Sequence, residues 1–255
     1  MKKLAALVIV ILALFLLSAV WLWVKFGSSQ PMNMGPIVGL LGEVRMEIPR
    51  EYVHILTHED AGVEDGDGIS PDEPVRKIHG MGIEVTFPEM RPVKAASSSG
   101  VMSNGEETIR ILVDSGSDYI GPEITENLRR SALYSMSRCL RCVKYVEAER
   151  TDTGLRHFTP TEDSVDISKR DGRDGWMGMY DSDFYFAETE AGEVTVFIRC
   201  ENMNSPKARC RQSFTLGNRY MADIQLSYRR ELLPQWKSMQ EGVERLLAGF
   251  AVESR

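Results

Sequence analysis

The sequence lacks an excess of basic residues. Its 255 residues hold 30 lysines and arginines against 37 aspartates and glutamates, which gives a formal net charge of −7. Nucleic acids and anionic membrane surfaces need a basic binding face, so this charge argues against both as main partners and favours a basic protein. The sequence also lacks a Gly-x-Ser-x-Gly motif, a phosphate loop, a dinucleotide-binding motif and any Asn-x-Ser/Thr glycosylation site. The commonest hydrolase and nucleotide-binding signatures are therefore missing.

The one long apolar run lies at the start of the chain. The stretch Leu4–Val24 has Ser18 as its single polar residue, and a helix of about 20 apolar residues spans the hydrocarbon core of a membrane. A cleaved signal peptide is the alternative, but its apolar region usually covers about 7–15 residues and ends at a small-residue cleavage site, which is poor here. Trp21 and Trp23 fit an interfacial aromatic belt. The sequence predicts an uncleaved transmembrane anchor over residues 4–26.

The charges that flank this run predict its orientation. Lys2 and Lys3 favour a cytoplasmic N-terminus, although Lys25 on the far side weakens the asymmetry. The absence of glycosylation sites favours a bacterial periplasm over the lumen of the endoplasmic reticulum. We therefore expect a single-pass inner-membrane protein with its main domain in the periplasm. Its predicted parts are a cytoplasmic segment over 1–3, the anchor, a tether over 27–35 and an α+β domain over 36–255.

Several segments alternate apolar and polar residues at the period of a β-strand. They are centred on residues 44–48, 83–87, 109–113, 194–198 and 220–228. Gly217-Asn218 predicts a tight hairpin before the last of them. One helix is predicted from Pro122 to about Ser137, and another from Pro234, with an apolar stripe from Trp236 to Phe250. The predicted fold class is α+β, in which a transmembrane helix precedes a mostly antiparallel sheet domain with a C-terminal amphipathic helix packed on it.

The chain has four cysteines, an even number that indicates disulfides in an oxidising compartment. Cys200 and Cys210 lie on the inward faces of consecutive predicted strands, so a Cys200–Cys210 disulfide is predicted across the hairpin. Cys139 and Cys142 form a Cys-x-x-Cys pair, which follows a helix instead of opening one, where the helix dipole would stabilise a thiolate. A four-cysteine zinc site usually has two to four residues within each pair. Redox and zinc roles remain minor alternatives to structural bridges.

Asp114-Ser115-Gly116 follows a hydrophobic strand and resembles the active-site turn of aspartic proteases. In that family two such turns bring two carboxylates together, and one acts as acid and the other as base on a water. By this resemblance Asp114 would be catalytic. The similar letters at Thr151–Gly154 lack a preceding hydrophobic strand, so a single turn would require a dimer. A strand that ends in a polar turn is the plainer interpretation. We predict no catalytic residue, no cofactor and no metal ligand.

The acidic loop over 58–73 contains Glu64–Ser70, whose alternating acids and glycines suggest calcium. If Asp67 and the glycine after it are placed at positions five and six of an EF-hand loop, the first and twelfth positions carry no side-chain oxygen. A solvated loop, or a contact patch for a basic partner, is the better interpretation. His54 and His58 lie four residues apart in a predicted strand, where they would converge poorly on a metal.

Three stretches together resemble a known family. The first is Glu43–Val53, a strand followed by Ile-Pro, Arg, an aromatic residue and Val. The second is Gly82–Met90, and the third comprises Ile198-Arg-Cys200, Cys210, Phe214, Tyr228-Arg-Arg-Glu-Leu-Leu233, Trp236 and Phe250. Their order is similar to that in immunity-type proteins of proteobacteria that are found beside effector genes of the type VI secretion system. The resemblance spans most of 36–252.

The resemblance implies an immunity protein that binds and neutralises a cognate antibacterial effector in the periplasm. Such a protein needs no catalytic site, and an acidic surface would attract a basic toxin. The implied partners are the effector and, through the N-terminal helix, the membrane. Two alternatives stay open: a membrane-tethered aspartic protease that uses Asp114, and a structural component of an envelope complex.

Overall fold

The computed structural model describes residues 35–58, 75–93, 107–138, 145–148, 153–161, 182–201, 208–217 and 219–252. Twelve strands and two α-helices lie within these ranges. In chain order they are β1 (Ile37–Leu41), β2 (Val44–Ile48), β3 (Val53–His58), β4 (Ile78–Thr86), β5 (Arg91–Pro92), β6 (Thr108–Ser115), α1 (Glu123–Arg138), β7 (Tyr145–Glu147), β8 (Arg156–Pro160), β9 (Ser182–Glu188), β10 (Val194–Glu201), β11 (Arg209–Leu216), β12 (Ala222–Arg229) and α2 (Trp236–Phe250).

Ten of the described strands form one antiparallel sheet. Their order is β3-β4-β6-β12-β11-β10-β9-β8-β7, and the short strand β5 pairs with β4 off this path. Strands β3 to β6 form one meander and strands β7 to β12 form another. The two meanders start at opposite edges of the sheet and run toward its middle. They meet where β12 pairs with β6, with Ile224 opposite Val113. Strands β1 and β2 form a separate hairpin, with Leu41 opposite Val44.

The main core lies on one face of this sheet, under the β1–β2 hairpin and α2. Successive side chains along each strand point to opposite faces of the sheet, and every second one faces the main core. On β6, Ile111 and Val113 are fully buried while Leu112 between them is 39% exposed. The apolar stripe of α2, at helical spacing, supplies Met239, Val243, Leu247 and Phe250. The end of α2 is also tied to the hairpin, because the Val252 N–H donates to the Arg45 carbonyl at 2.9 Å.

Helix α1 packs on part of the opposite face. Leu128 and Ala132 contact a smaller apolar cluster formed by Phe184, Phe186, Val194 and Phe197. The Thr125 hydroxyl donates to the Val194 carbonyl at 2.6 Å, which fixes the start of the helix to β10. The elements in contact with α1 are mainly β10 and β11.

The predicted anchor over 4–26 lies outside the described residues. In the part of the chain that the structure describes, neither helix is long and apolar enough to cross a membrane. The exposed side of α2 carries Lys237, Glu241 and Arg245, which explains this result for that helix. The predicted fold class is therefore corrected to a mostly antiparallel sheet with two helices. A single-pass inner-membrane localisation and a membrane contact through an N-terminal helix are not supported.

Candidate functional site

The Asp114-Ser115-Gly116 turn closes the end of β6. Gly116 has a φ of 62°, a left-handed conformation that favours glycine, and the chain passes there into a 3₁₀ turn over Gly116–Asp118. The Ser115 hydroxyl donates to the Met221 carbonyl at 2.9 Å. Ser115 therefore ties the end of β6 to the residues that enter β12.

Asp223 of β12 lies opposite Asp114 across the two paired strands. Two opposed carboxylates are what a protease dyad needs, but both oxygens of Asp223 already accept hydrogen bonds from the protein. Its Oδ2 accepts from the backbone N–H groups of Ile120 at 2.7 Å and Gly121 at 3.3 Å, and its Oδ1 accepts from the Thr215 hydroxyl at 2.9 Å. The buried Asp223 thus fastens the connection between β6 and α1 to the sheet.

His79 lies among the acids at this end of the sheet. Its Nε2 is 2.7 Å from Asp118 Oδ2, and its Nδ1 is 3.4 Å from the Ser117 hydroxyl oxygen. Burial raises the pKa of Asp114. The neighbouring charges of Asp118 and Asp223 raise this pKa further, whereas His79 lowers it. We call Asp114, Asp118 and Asp223 the acidic corner. Negative charge exceeds positive charge among these four titratable side chains.

A second polar cluster, which the sequence did not reveal, is buried against β9. Arg230 donates through Nη2 to Asp183 and through Nη1 to the Glu201 carbonyl at 2.7 Å. The ring of His157 stacks on that of Tyr185, with centroids 4.4 Å apart. This cluster links β8, β9 and the residues that follow β12.

Charge is balanced in this second cluster. Burial alone raises the pKa of Asp183, but contacts with His157, Arg230 and Thr159 outweigh burial and hold the pKa below its ordinary value. His157 Nε2 lies 3.5 Å from Asp183 Oδ1, an ion-pair distance that is too long for a good hydrogen bond. Burial also raises the pKa of Tyr185 to about 12, so this hydroxyl stays protonated at neutral pH. His157 Nε2 and Asp183 Oδ1 are buried without a hydrogen-bond partner, so Arg230 supplies the main compensation for the buried carboxylate.

Cys200 of β10 and Cys210 of β11 are cross-strand partners, and a disulfide joins them. Their Cα atoms are 4.0 Å apart, and both residues are fully buried in the main core. The bridge closes a loop with a sequence separation of 10 residues. Cys139 and Cys142 lie outside the described residues.

Replacing Cys200 and Cys210 together by serine is expected to lower the free energy of unfolding by about 2–3 kcal/mol, because no disulfide then restricts the unfolded chain. Urea unfolding at neutral pH measures the change. Dithiothreitol should destabilise the wild type by a similar amount and leave the double variant unchanged. A further loss when the variant is reduced would instead assign stabilisation to Cys139 and Cys142.

The histidines considered as metal ligands do not converge. His54 Nε2 lies 3.7 Å from Glu84, whereas His58 Nδ1 lies 3.3 Å from the Lys77 carbonyl oxygen. Within the described ranges, no group of three or more histidine, cysteine, aspartate or glutamate side chains could hold a metal ion. The Glu64–Ser70 segment lies outside those ranges.

Comparison with known proteins shows a shared fold. No protein-family model and no curated protein match the sequence. A solved structure of an immunity protein from a bacterial secretion system does match. It is Smlt3025, of the Stenotrophomonas maltophilia type IV secretion system, with a TM-score of 0.56 and 19% identity over 86% of this chain and 94% of that chain. At this level of identity, the structural match shows a shared fold and nothing finer. The type VI system named by the sequence resemblance is not shown.

Proposed function

We propose that this chain is an immunity protein that binds and neutralises a cognate antibacterial effector. The observation that carries the proposal is the fold shared with an immunity protein over 86% of the chain. The sequence resemblance leads to the same class by a separate route. The net charge of −7 adds support, since an acidic chain attracts a basic toxin and speeds the encounter.

Binding alone is sufficient for this function, and the geometry at Asp114 fits a binding protein. An aspartic protease dyad holds two carboxylates against one water. Here both carboxylate oxygens of Asp223 accept hydrogen bonds that fasten the chain before α1, and Ser115 is committed to Met221. We therefore infer that the protein is not an enzyme.

We infer further that neutralisation occurs in the periplasm. A disulfide such as Cys200–Cys210 forms and persists in an oxidising compartment. Delivery of the effector by a type VI system rests on the sequence resemblance, whereas the structural neighbour serves a type IV system. The two delivery routes are separable by experiment.

A competition assay tests the function. A strain that lacks the gene is expected to be killed by isogenic siblings with an active secretion system, and to survive when supplied with the wild-type gene or with Asp114→Asn. The reason is that binding does not depend on the chemistry of one carboxylate. Counts of surviving cells measure the outcome, and immunoblots confirm that both versions are produced.

Each other result has a definite meaning. If Asp114→Asn fails to rescue although the purified variant still binds the effector as tightly as the wild type, neutralisation by binding is contradicted and the protease is favoured. Survival of the deletion strain would contradict immunity, and an envelope defect without any attacker would favour a structural component. Attackers that lack either the type VI or the type IV system identify the route of delivery.

A further inference from the structure

Part of the second sheet face carries no described covering element. The first face lies under the β1–β2 hairpin and α2, and α1 covers the second face at β10 and β11. Among the described residues, no α-helix or strand lies over the same face of β3, β4 and β6, whereas the connection from β6 to α1 covers β12 at Asp223. We call the residues that β3, β4 and β6 present on this side the open face.

Two exposed aliphatic side chains lie close together on the open face. Ile55 of β3 is 58% exposed and Leu112 of β6 is 39% exposed. Both are opposite Gly82 on the intervening strand β4. Gly82 is itself buried, and the Ile55 Cβ lies 3.5 Å from the point where a Gly82 Cβ would stand. We call Ile55 and Leu112 the apolar patch.

The apolar patch suits one apolar side chain of another protein. Ile55 and Leu112 are two strands apart, which places their Cα atoms about 10 Å from each other. An aliphatic side chain laid on the patch can contact both residues at about 4 Å.

The acidic corner lies beside the apolar patch. Asp114 follows Leu112 by two residues on β6, and Gly80 pairs with it on β4. Asp118 is 62% exposed, and its Oδ2 lies 2.7 Å from the His79 Nε2. A lysine or arginine from a partner would reduce the repulsion among these carboxylates. The other end of the face is neutral by comparison, because Arg110 pairs with Glu84 at 3.6 Å.

Charge also separates the classes of occupant. A second copy of this chain would bring a further net charge of −7 and another acidic corner, and like charges oppose such an approach. A nucleic acid is repelled for the same reason. A protein with an aliphatic side chain next to a basic one complements both features of the face.

This inference rests on the proposed function. We infer that the open face is the surface that binds the effector: an aliphatic side chain of the effector packs on the apolar patch, and a neighbouring lysine or arginine pairs with Asp118. The apolar contact contributes affinity, and the charge pair sets orientation and speeds association.

The test measures binding of the purified full chain to the protein encoded beside its gene, by biolayer interferometry. The double variant Ile55→Ala/Leu112→Ala is expected to raise the Kd about tenfold or more, since loss of an interface anchor has effects of this size. Asp118→Lys is expected to slow association and to weaken its dependence on salt, because it reverses the attracting charge.

Two matched controls lie away from the open face. Val146→Ala shortens an aliphatic side chain that is 49% exposed on β7, at the opposite edge of the sheet. Glu241→Lys reverses a charge that is 50% exposed on α2, which covers the other face. Both should leave the Kd within about twofold of the wild type. Urea unfolding of all four variants checks that folding is unchanged.

The outcomes separate this inference from the proposed function. If the wild-type chain does not bind the neighbouring protein, the proposed function fails. If it binds, but the open-face variants bind as tightly as the controls, the function stands and this surface is wrong. If light scattering shows a wild-type dimer that the double variant dissociates while effector binding is unchanged, the open face is a self-association surface and the inference is overturned.

Discussion

Replacing Arg230 by methionine is expected to lower the free energy of unfolding by about 3–5 kcal/mol. Arg230 donates to Asp183, whose side chain is only 3% exposed. The variant leaves this carboxylate buried without its cation, so its lost hydration is no longer compensated. Methionine keeps most of the aliphatic length, which makes the loss a measure of the charge. Urea unfolding at pH 7 gives the value.

Arg229→Met is the matched control, because it removes the same charge from the preceding residue. Arg229 pairs with Glu231 at 3.3 Å, and the two side chains are 36% and 56% exposed. An exposed pair of this kind contributes about 0–1 kcal/mol. Equal losses for Arg229→Met and Arg230→Met would contradict a buried, charge-compensated Asp183.

The pH dependence of stability gives a second readout of the same cluster. The pKa of Asp183 is lower in the folded chain than its ordinary value. Its contribution to stability is therefore complete above the unfolded pKa, about 3.9, and is lost as the pH falls through the folded value. Arg230→Met raises the folded pKa, so the part of the acid-side loss that comes from Asp183 should shrink. If stability falls at low pH to the same extent in Arg230→Met as in the wild type, the loss does not come from Asp183.

Replacing Leu226 by alanine is expected to lower the free energy of unfolding by about 2–5 kcal/mol. Leu226 is fully buried in the main core, where it faces Ile111 on β6 and Gln212 on β11 as cross-strand neighbours. Removal of its outer carbons leaves a cavity in a closely packed layer, so transfer and cavity effects add. Urea unfolding measures the loss.

Leu112→Ala makes the same chemical change on the opposite face of the sheet. Leu112 is 39% exposed, and a surface truncation of this kind usually costs no more than about 0.5 kcal/mol. A loss as large as that of Leu226→Ala would show that the open face is covered by the protein itself. That result would also remove the basis for placing an effector there.

The sequence predicted the strands that have one apolar and one polar face. Segments 44–48 and 109–113 coincide with β2 and β6, which bury alternate residues against the core. Strand β9 escaped detection because all residues from Ser182 to Phe186 are buried, so no alternation marks it. Its run of aromatic residues is the signal that could have revealed it. The helix predicted from Pro234 begins at Trp236, because a 3₁₀ turn contains the proline.

Only part of the open face could be predicted from the sequence. Leu112 interrupts the polar side of its strand between Arg110 and Asp114, which marks it as an exposed aliphatic residue. Its relation to Ile55 depends on the pairing of both strands with β4, which no local pattern fixes. The opposition of Asp114 and Asp223 likewise requires strands that are far apart in the chain.

The pairing of β6 with β12 has a consequence for the order in which the chain folds. Ser115 and Met221 touch although they are 106 residues apart, and contacts of such separation make folding slow. During synthesis β6 remains an unpaired sheet edge, open to aggregation, until β12 leaves the ribosome. Helix α2 follows β12 and covers the main core. The core is therefore closed only after α2 has been made, and truncation of α2 exposes the part of the core that this helix covers.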